Sequence, residues 1–179
     1  MKNSILIAIL ILSNWAIAQE KKMSKSAVIV FEASVPSFEE VKATNKNTTM
    51  VLNSKTGEIA SLALMKGFRF KVALMEEHFN ENYVESHKYP KALFKGKIVN
   101  FDANALTENP KEFIINGKLE LHGKTVMLNV PAKIRKSGSG IHLVSKFIVN
   151  ASDFDISIPS VVKNKVSNKI NIQLDAVLN

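Results

Sequence analysis

The sequence has no cysteine among its 179 residues. This absence excludes disulfide-stapled scaffolds, cysteine-ligated zinc and iron sites, and thiol nucleophiles. The chain also lacks the motifs G-x-S-x-G, G-x-G-x-x-G and H-E-x-x-H, a P-loop, a Pro/Gly/Ser linker and a fixed-period repeat. We therefore expect one domain with no enzymatic activity, no cofactor and no bound metal.

Long apolar runs are missing as well. The unbroken run at 5–12 is far shorter than the roughly 20 residues that span a bilayer. It follows Lys2 and precedes the small residues Ala16 and Ala18, which is the arrangement that signal peptidase reads. The sequence thus predicts a signal peptide over 1–18 and a periplasmic or secreted protein. A flexible polar leader over 19–26 and a folded domain over 27–179 are expected to follow.

What dominates the remaining chain is strict alternation of apolar and polar residues, the pattern of strands with one buried face. It is clearest over 113–121, where Phe113, Ile115 and Leu119 share one face and Lys118 lies on the other. Nine such segments are separated mostly by short turns. The predicted strands are 27–33, 48–53, 58–65, 67–74, 92–101, 113–121, 126–134, 141–149 and 170–178.

One segment has helical periodicity instead. Met75, Phe79 and Tyr83 recur every fourth residue among glutamates, which predicts a short amphipathic helix over 75–86. Consecutive strands with one short helix between them favour an all-β antiparallel meander, folded as a sandwich or closed into a barrel. Closure is favoured because it removes the exposed sheet edges.

The four histidines give little support for a chemical site. His78 and His87 lie near glutamates, so a metal site is conceivable, but a solvated helix face and its following loop are the favoured interpretation. His122 in a turn and His142 on a polar strand face are expected to be exposed surface residues. Because their spacing gives no reason for convergence with serine and aspartate, a catalytic triad is not predicted.

The formal net charge is +8. A nucleic-acid interface would interleave basic residues with exposed aromatics, whereas here the aromatics fall mainly on apolar faces. We therefore expect no nucleic-acid partner. A solvated basic surface with a weak attraction to anionic membrane headgroups is the simpler interpretation.

Three separated motifs resemble those of the YceI-like family. They are MEEHFNENY at 75–83 with YPKALFKG at 89–96, GKLELHGKT at 117–125, and the late strand from Phe147 with its turn SDFDI at 152–156. Asp155 stands where many family members have glycine. Order and spacing agree from about residue 48 to 178. The resemblance implies an exported, eight-stranded, lipocalin-like antiparallel barrel that holds a polyisoprenoid or fatty-acid derivative.

A barrel of this size can either be filled by side chains or hold one ligand. Large apolar residues on the predicted inward faces are mixed with the small Gly117, Ala132, Ser145 and Ala176, which allows a lined tunnel. An alternative is a filled barrel that acts as a structural or stress-related interaction module without ligand, and a homodimer paired through an apolar mouth is left open. The predicted ligand-binding residues are Phe68, Phe70, Phe79, Tyr83, Phe94, Ile98, Phe113, Ile115, Leu119 and Phe147, with Phe79 and Tyr83 on a helix that caps the mouth.

Overall fold

The structure is a computed structural model that describes residues 21–179. The predicted signal peptide lies outside the described residues. The described chain forms nine strands, one short α-helix, one π-helical turn and several 3-10 turns. The elements are β1 Lys21–Ser34, β2 Lys42–Asn53, β3 Glu58–Leu64, β4 Arg69–Phe70, α1 Ala73–His78, the π-helical turn Phe79–Tyr83, β5 Lys91–Ile98, β6 Lys111–Leu121, β7 Lys124–Ser137, β8 Gly140–Asn150 and β9 Val166–Leu178.

Eight of these strands close into an antiparallel barrel, as predicted. β1 pairs with β2 on one side and with β9 on the other, and the remaining neighbours pair in the order β2, β3, β5, β6, β7, β8, β9. The two-residue β4 pairs with β2 at Ala43 and Thr44, beyond the end of the β2–β3 pairing. Closure gives every long strand a partner on both sides, although β7 and β8 pair only from Ala132 opposite Ser145 to Ser137 opposite Gly140.

The predicted flexible leader is wrong for the part of it that the structure describes. β1 begins at Lys21, and its first residues pair with the end of β2, from Lys21 opposite Asn53 to Ser24 opposite Met50. The Met23 amide donates to the Asn179 carbonyl at 2.9 Å and the Asn179 amide donates back to Met23 at 3.1 Å. Backbone pairing of this kind does not require apolar side chains, which is why a lysine-rich segment forms a strand here.

The predicted strand 67–74 and helix 75–86 also differ from the structure. A 3-10 turn over Met65–Gly67 precedes the short β4, and the helix begins earlier, at Ala73, and ends in a π-helical turn. Gly67 lies against the side chain of Asn45, where an added Cβ would lie 2.6 Å from Nδ2. This close approach to another strand bends the chain out of the sheet, a tertiary contact that local alternation does not reveal.

The interior of the barrel divides into two ends. At the packed end, near Lys21 and Asn179, inward side chains fill the section completely, and Phe101 and Leu106 of the β5–β6 connection pack against them. At the open end, the connections β1–β2 (35–41), β3–β5 (65–90, with α1), β6–β7 (122–123) and β8–β9 (151–165) surround a mouth. The packed end includes the fully buried Leu52, Ile98, Ile134, Leu143 and Leu178.

Candidate functional site

A cavity of about 520 Å³ occupies the open end of the barrel. This volume lies within the range of about 300–1,000 Å³ that is typical of small-molecule sites. Apolar side chains from several barrel strands form its walls, and many of them are only half-buried because they face this space rather than packed neighbours. They include Ile29, Phe31, Ala63, Ala92, Phe94, Leu119, Phe147, Ile170, Ile172 and Leu174.

Most of the predicted ligand-binding residues border this cavity. Eight of the ten do so: Phe68, Phe70, Phe79, Tyr83, Phe94, Ile115, Leu119 and Phe147. The other two, Ile98 and Phe113, belong to the packed end, where the rings of Phe113 and Phe101 meet with centroids 5.9 Å apart. Their inward orientation was predicted correctly, but they lie below the floor of the cavity and are not part of its wall.

Four phenylalanines cluster on one side of the mouth. Phe31 of β1 lies at the centre, with ring centroids 5.3 Å from Phe68, 5.6 Å from Phe70 and 5.2 Å from Phe79. Phe79 also contacts Phe68 and Phe70, at 5.9 Å and 5.2 Å. Such ring pairs stabilise beyond the area they bury. The cluster therefore holds the helical segment against the barrel wall, and all four side chains also border the cavity.

A carboxylate fixes the position of α1. Glu76 accepts hydrogen bonds from the Arg69 guanidinium at 2.7 Å and from the Phe70 amide at 3.1 Å, which ties the helix to β4. Beyond it, Phe79 and Tyr83 of the π-helical turn both border the cavity, together with Met75 of α1. Burial raises the pKa of the Tyr83 phenol, so this side chain stays neutral. The helical segment thus lies at the mouth, and its capping role stays a prediction.

Of the four small inward residues named from the sequence, Ser145 borders the cavity and the other three do not. Phe94 fills the space beside Gly117, where an added Cβ would lie 2.5 Å from the Phe94 ring. Ala132 and Ala176 belong to the packed end. Ser145 borders the cavity, and its hydroxyl donates to the Pro131 carbonyl at 2.6 Å. The open space is thus created by other small residues, including Ser61, Ala63 and Ala92.

Charged and titratable groups border the cavity mainly on the mouth segments. Glu39 lies on the β1–β2 connection, His78 at the end of α1 and Lys165 on the β8–β9 connection. The strand residues deeper in the barrel are apolar, apart from Ser61 and Ser145. This distribution suits a ligand with a long apolar part and a polar end that stays at the mouth.

A buried histidine joins three connections beside the mouth. His122 Nε2 lies 2.9 Å from the Glu85 carboxylate, and Nδ1 lies 2.9 Å from the Phe154 carbonyl. The Tyr89 ring packs against it with centroids 4.5 Å apart. The His122 side chain is only 11% exposed, so the expectation of an exposed surface residue is wrong.

The pKa of Glu85 also reflects its contact with His122. The hydrogen bond from His122 holds the pKa of the Glu85 carboxyl below its ordinary value, with smaller contributions from the charges of Lys88 and His87. Glu85 and His122 are 37 residues apart, so no local pattern could have indicated their contact. His142, by contrast, lies on the outer face as predicted, where its Nε2 lies 2.9 Å from Asp175.

Several cavity residues were not among those predicted. Ile29 and Phe31 come from β1, and Ile172 and Leu174 come from β9, which pairs with it. The signal was present, because these residues fall on the alternating apolar faces of their strands. Which part of each face borders the cavity depends on where the packed end stops, and alternation does not contain that information.

The fold and its cavity agree with a known family. The model of the YceI-like domain matches residues 19–178. The chain belongs to the YceI-like family. The resemblance of the helix, hairpin and late-strand motifs is thereby confirmed. No curated protein matches the chain.

Solved structures resemble this YceI-like protein over most of their length. A polyisoprenoid binding domain from Saccharophagus degradans has a TM-score of 0.77 at 11% identity, covering 89% of this chain and 98% of that one. Burkholderia cenocepacia BcnA has a TM-score of 0.69 at 14% identity, covering 85% and 96%. The Campylobacter jejuni YceI protein has a TM-score of 0.60 at 16% identity, covering 80% and 88%. At these identities the likeness demonstrates a shared fold.

Two further features concern residues 21–179, the part of the chain that the structure describes. No helix in that range is long and apolar enough to cross a bilayer. Its histidine, aspartate and glutamate side chains form no group of three or more that could hold a metal ion.

Proposed function

We propose that this YceI-like protein is an exported, non-enzymatic lipid-binding protein that holds one long apolar chain, a polyisoprenoid or a fatty-acid derivative, inside the barrel. The observation that carries the proposal is the apolar cavity of about 520 Å³ at the open end. The similarity in fold to a polyisoprenoid binding domain from Saccharophagus degradans supports it.

Burial of the ligand's apolar chain supplies enough free energy for binding, and no catalytic group is needed. Each CH₂ removed from water contributes about 0.8 kcal/mol. The ligand would also cover wall residues such as Phe31, Phe70 and Phe147, which are only half-buried. A polar end group would lie at the mouth, near His78 and Lys165, because the deeper walls offer only serine hydroxyls.

The alternative of a filled barrel without ligand is less well supported. Side chains fill the packed end, but the wall residues of the open end enclose a cavity instead of meeting one another. A purely structural module would gain stability by closing this space with larger side chains.

The first experiment asks whether the protein carries a lipid. We expect native mass spectrometry of the purified protein, paired with organic extraction, to show one bound apolar molecule per barrel, and added polyisoprenoid or acyl ligands to raise the Tm of the stripped protein. Repeated isolation without lipid, together with no thermal shift, would rule out the proposal. The same spectra count the copies per particle and so test the homodimer.

Export is tested separately. If residues 1–18 are a signal peptide, the intact mass of protein from the periplasm or culture medium will correspond to a chain that begins at Gln19. A full-length mass in the cytoplasm would contradict export while leaving lipid binding open to the first experiment.

A cavity-blocking variant tests whether the lipid binds inside the cavity. Ser61 is buried and borders the cavity, whereas its neighbour Ala60 points away from the interior on the same strand. Ser61→Leu should lower lipid uptake because the larger side chain enters the cavity, and the matched control Ala60→Leu should bind as the parent does. Equal uptake by both variants would place the lipid elsewhere on the protein.

A further inference from the structure

The barrel wall is split along part of the boundary between β7 and β8. These strands pair only from Ala132 opposite Ser145 to Ser137 opposite Gly140, at the packed end. Toward the mouth both strands continue, because 124–131 still pair with β6 and 146–150 still pair with β9. Among the described residues, no backbone pairing joins these two segments to each other. We call this unpaired stretch the β7–β8 split.

A proline accounts for the point at which the pairing ends. The Ser145 hydroxyl donates to the Pro131 carbonyl at 2.6 Å, so this carbonyl faces β8. A residue in an antiparallel strand turns its N–H and its C=O toward the same neighbour. Proline has no N–H, so position 131 cannot donate to β8. Sheets tolerate proline at unpaired edges of this kind.

The split separates the cavity from solvent. Val130 on one side of it and Phe147 and Val149 on the other belong to the cavity wall. On the outer surface, Met127 and Ile148 are 73% and 58% exposed. The split also lies across the barrel from the helical segment, because β7 is four strands away from β2, the strand that pairs with β4.

Two side-chain contacts bridge the split at the mouth. His122 of the β6–β7 connection has its Nδ1 2.9 Å from the carbonyl of Phe154, on the β8–β9 connection. Lys124, the first residue of β7, forms an ion pair with Asp155 at 2.8 Å. Both partners of this ion pair are exposed, and exposed pairs stabilise little. The mouth end of the split is thus held by side chains and not by strand pairing.

We propose that the β7–β8 split is the part of the wall that opens when a lipid enters or leaves the barrel. Release of the two side-chain contacts lets β7 and β8 move apart from the mouth down to Ser145, and no hydrogen bond between the two strands has to break. The mouth is thereby widened, and the guest still passes through it.

The opposite side of the mouth is held more firmly, by the phenylalanine cluster and by the Glu76 carboxylate. The split is therefore the side that moves. This inference rests on the proposed function and adds to it the segment that controls lipid exchange.

The first test joins the two sides of the split. The chain has no cysteine, so introduced cysteine pairs are unique. Asn129 and Ile148 are exposed and would stand opposite each other if the register of β7 and β8 continued. Asn129→Cys and Ile148→Cys are linked with a bis-maleimide on the outer face. We expect native mass spectrometry to show uptake of a polyisoprenoid or acyl lipid at least about tenfold slower than before linking.

The matched control is Asn116→Cys with Asn129→Cys. These exposed residues are partners in the register of β6 and β7, so linking them joins strands that are already paired. The linked control should take up lipid at the rate of the parent. Unchanged uptake after linking across the split, or equal slowing in both linked proteins, would overturn the proposal.

Spin labels on the same two cysteine pairs measure the split without a lipid. We expect a broad distribution of distances between positions 129 and 148 and a narrow one between positions 116 and 129. Equally narrow distributions would show that the wall does not open there, whatever the cavity binds. If the parent takes up no lipid while the distribution across the split is broad, the proposed function fails and the opening of the wall stands.

Lys124→Glu tests the contacts at the mouth. It replaces the ion pair with repulsion from Asp155, so lipid uptake should become faster, by up to about fivefold because the pair is exposed. The amount bound at equilibrium should not change. Lys97→Glu on the outer face of β5 has the same charge change and should match the parent. Equal uptake rates for the two variants would show that the ion pair does not hold the split closed.

Discussion

The two ends of this barrel use the same strands for different purposes. At the packed end, Leu52, Ile134 and Leu178 are fully buried, and Phe101 and Leu106 of a connection complete the section. At the open end, the same alternating faces carry half-buried residues around a cavity. The two ends differ in how far the interior is filled, whereas every long strand has a neighbouring strand on both sides.

This comparison shows how a small barrel can keep an unfilled interior. Stability requires close packing somewhere, since an unfilled core loses both transfer free energy and contacts. Here that packing is concentrated in one half, and the helical segment is held to the other by the phenylalanine cluster and by Glu76. The open end can therefore keep a cavity while the fold remains stable.

The largest expected effect compares one isoleucine from each end. Ile134→Ala at the packed end should cost about 2–5 kcal/mol of unfolding free energy, because the fully buried site cannot collapse. Ile172→Ala at the open end removes a half-buried side chain that already borders open space, so its cost should be clearly smaller. Urea unfolding measures both values. Equal losses would mean that the ends do not differ in packing.

The boundary between the two ends can be moved with Gly117→Val. An added Cβ would lie 2.5 Å from the Phe94 ring, 2.7 Å from the Lys95 carbonyl and 2.8 Å from the Gly96 Cα, so both the ring and the paired β5 backbone must shift. We expect about 1–3 kcal/mol of destabilisation from overpacking, together with lower lipid uptake. The matched control is Asn116→Val on the exposed face of the same strand. Unchanged uptake in the folded Gly117→Val protein would show that Phe94 does not limit the cavity.

The smallest effect concerns the contact between Glu85 and His122. Because the pKa of Glu85 is lowered in the folded protein, this carboxylate stabilises the fold above the ordinary carboxyl pKa. That contribution is lost as the pH falls through the lowered pKa. Glu85→Gln should therefore reduce Tm at neutral pH and match the parent in strong acid, whereas Glu81→Gln, at an exposed position nearby, should track the parent throughout. A Tm difference for Glu85→Gln that is constant with pH would contradict this.

The sequence predicted the strands well because alternation is a local property. It assigned Ile98 and Phe113 to the inward faces correctly, as it did Phe94 and Phe147. It could not locate the floor of the cavity, because the floor depends on how the connection carrying Phe101 folds back. The alternation of apolar and polar residues indicates which way a side chain points. It does not indicate how far side chains fill the barrel interior at that position along the strand.

The sequence also did not predict contacts between distant segments or contacts made only by the backbone. The strand that begins at Lys21 is held by pairing with β2 and by two hydrogen bonds to Asn179, the last residue of the chain. The contact of His122 with Glu85 likewise joins distant segments. Neither leaves a periodic trace in the sequence. The family motifs, in contrast, identified the hairpin and the helix, and with them the side of the barrel that carries the mouth.

The filled floor makes the barrel a blind tube with one opening. A chain-like guest must therefore enter tail first and leave head first, by the same route. Each further CH₂ adds about 0.8 kcal/mol only until the tail reaches the floor formed above Ile98 and Phe113. Beyond that length, additional carbons must remain outside the mouth. The depth of the tube therefore limits how much of a chain can be buried. A homologous series of lipids should show an affinity that rises with chain length and then levels off.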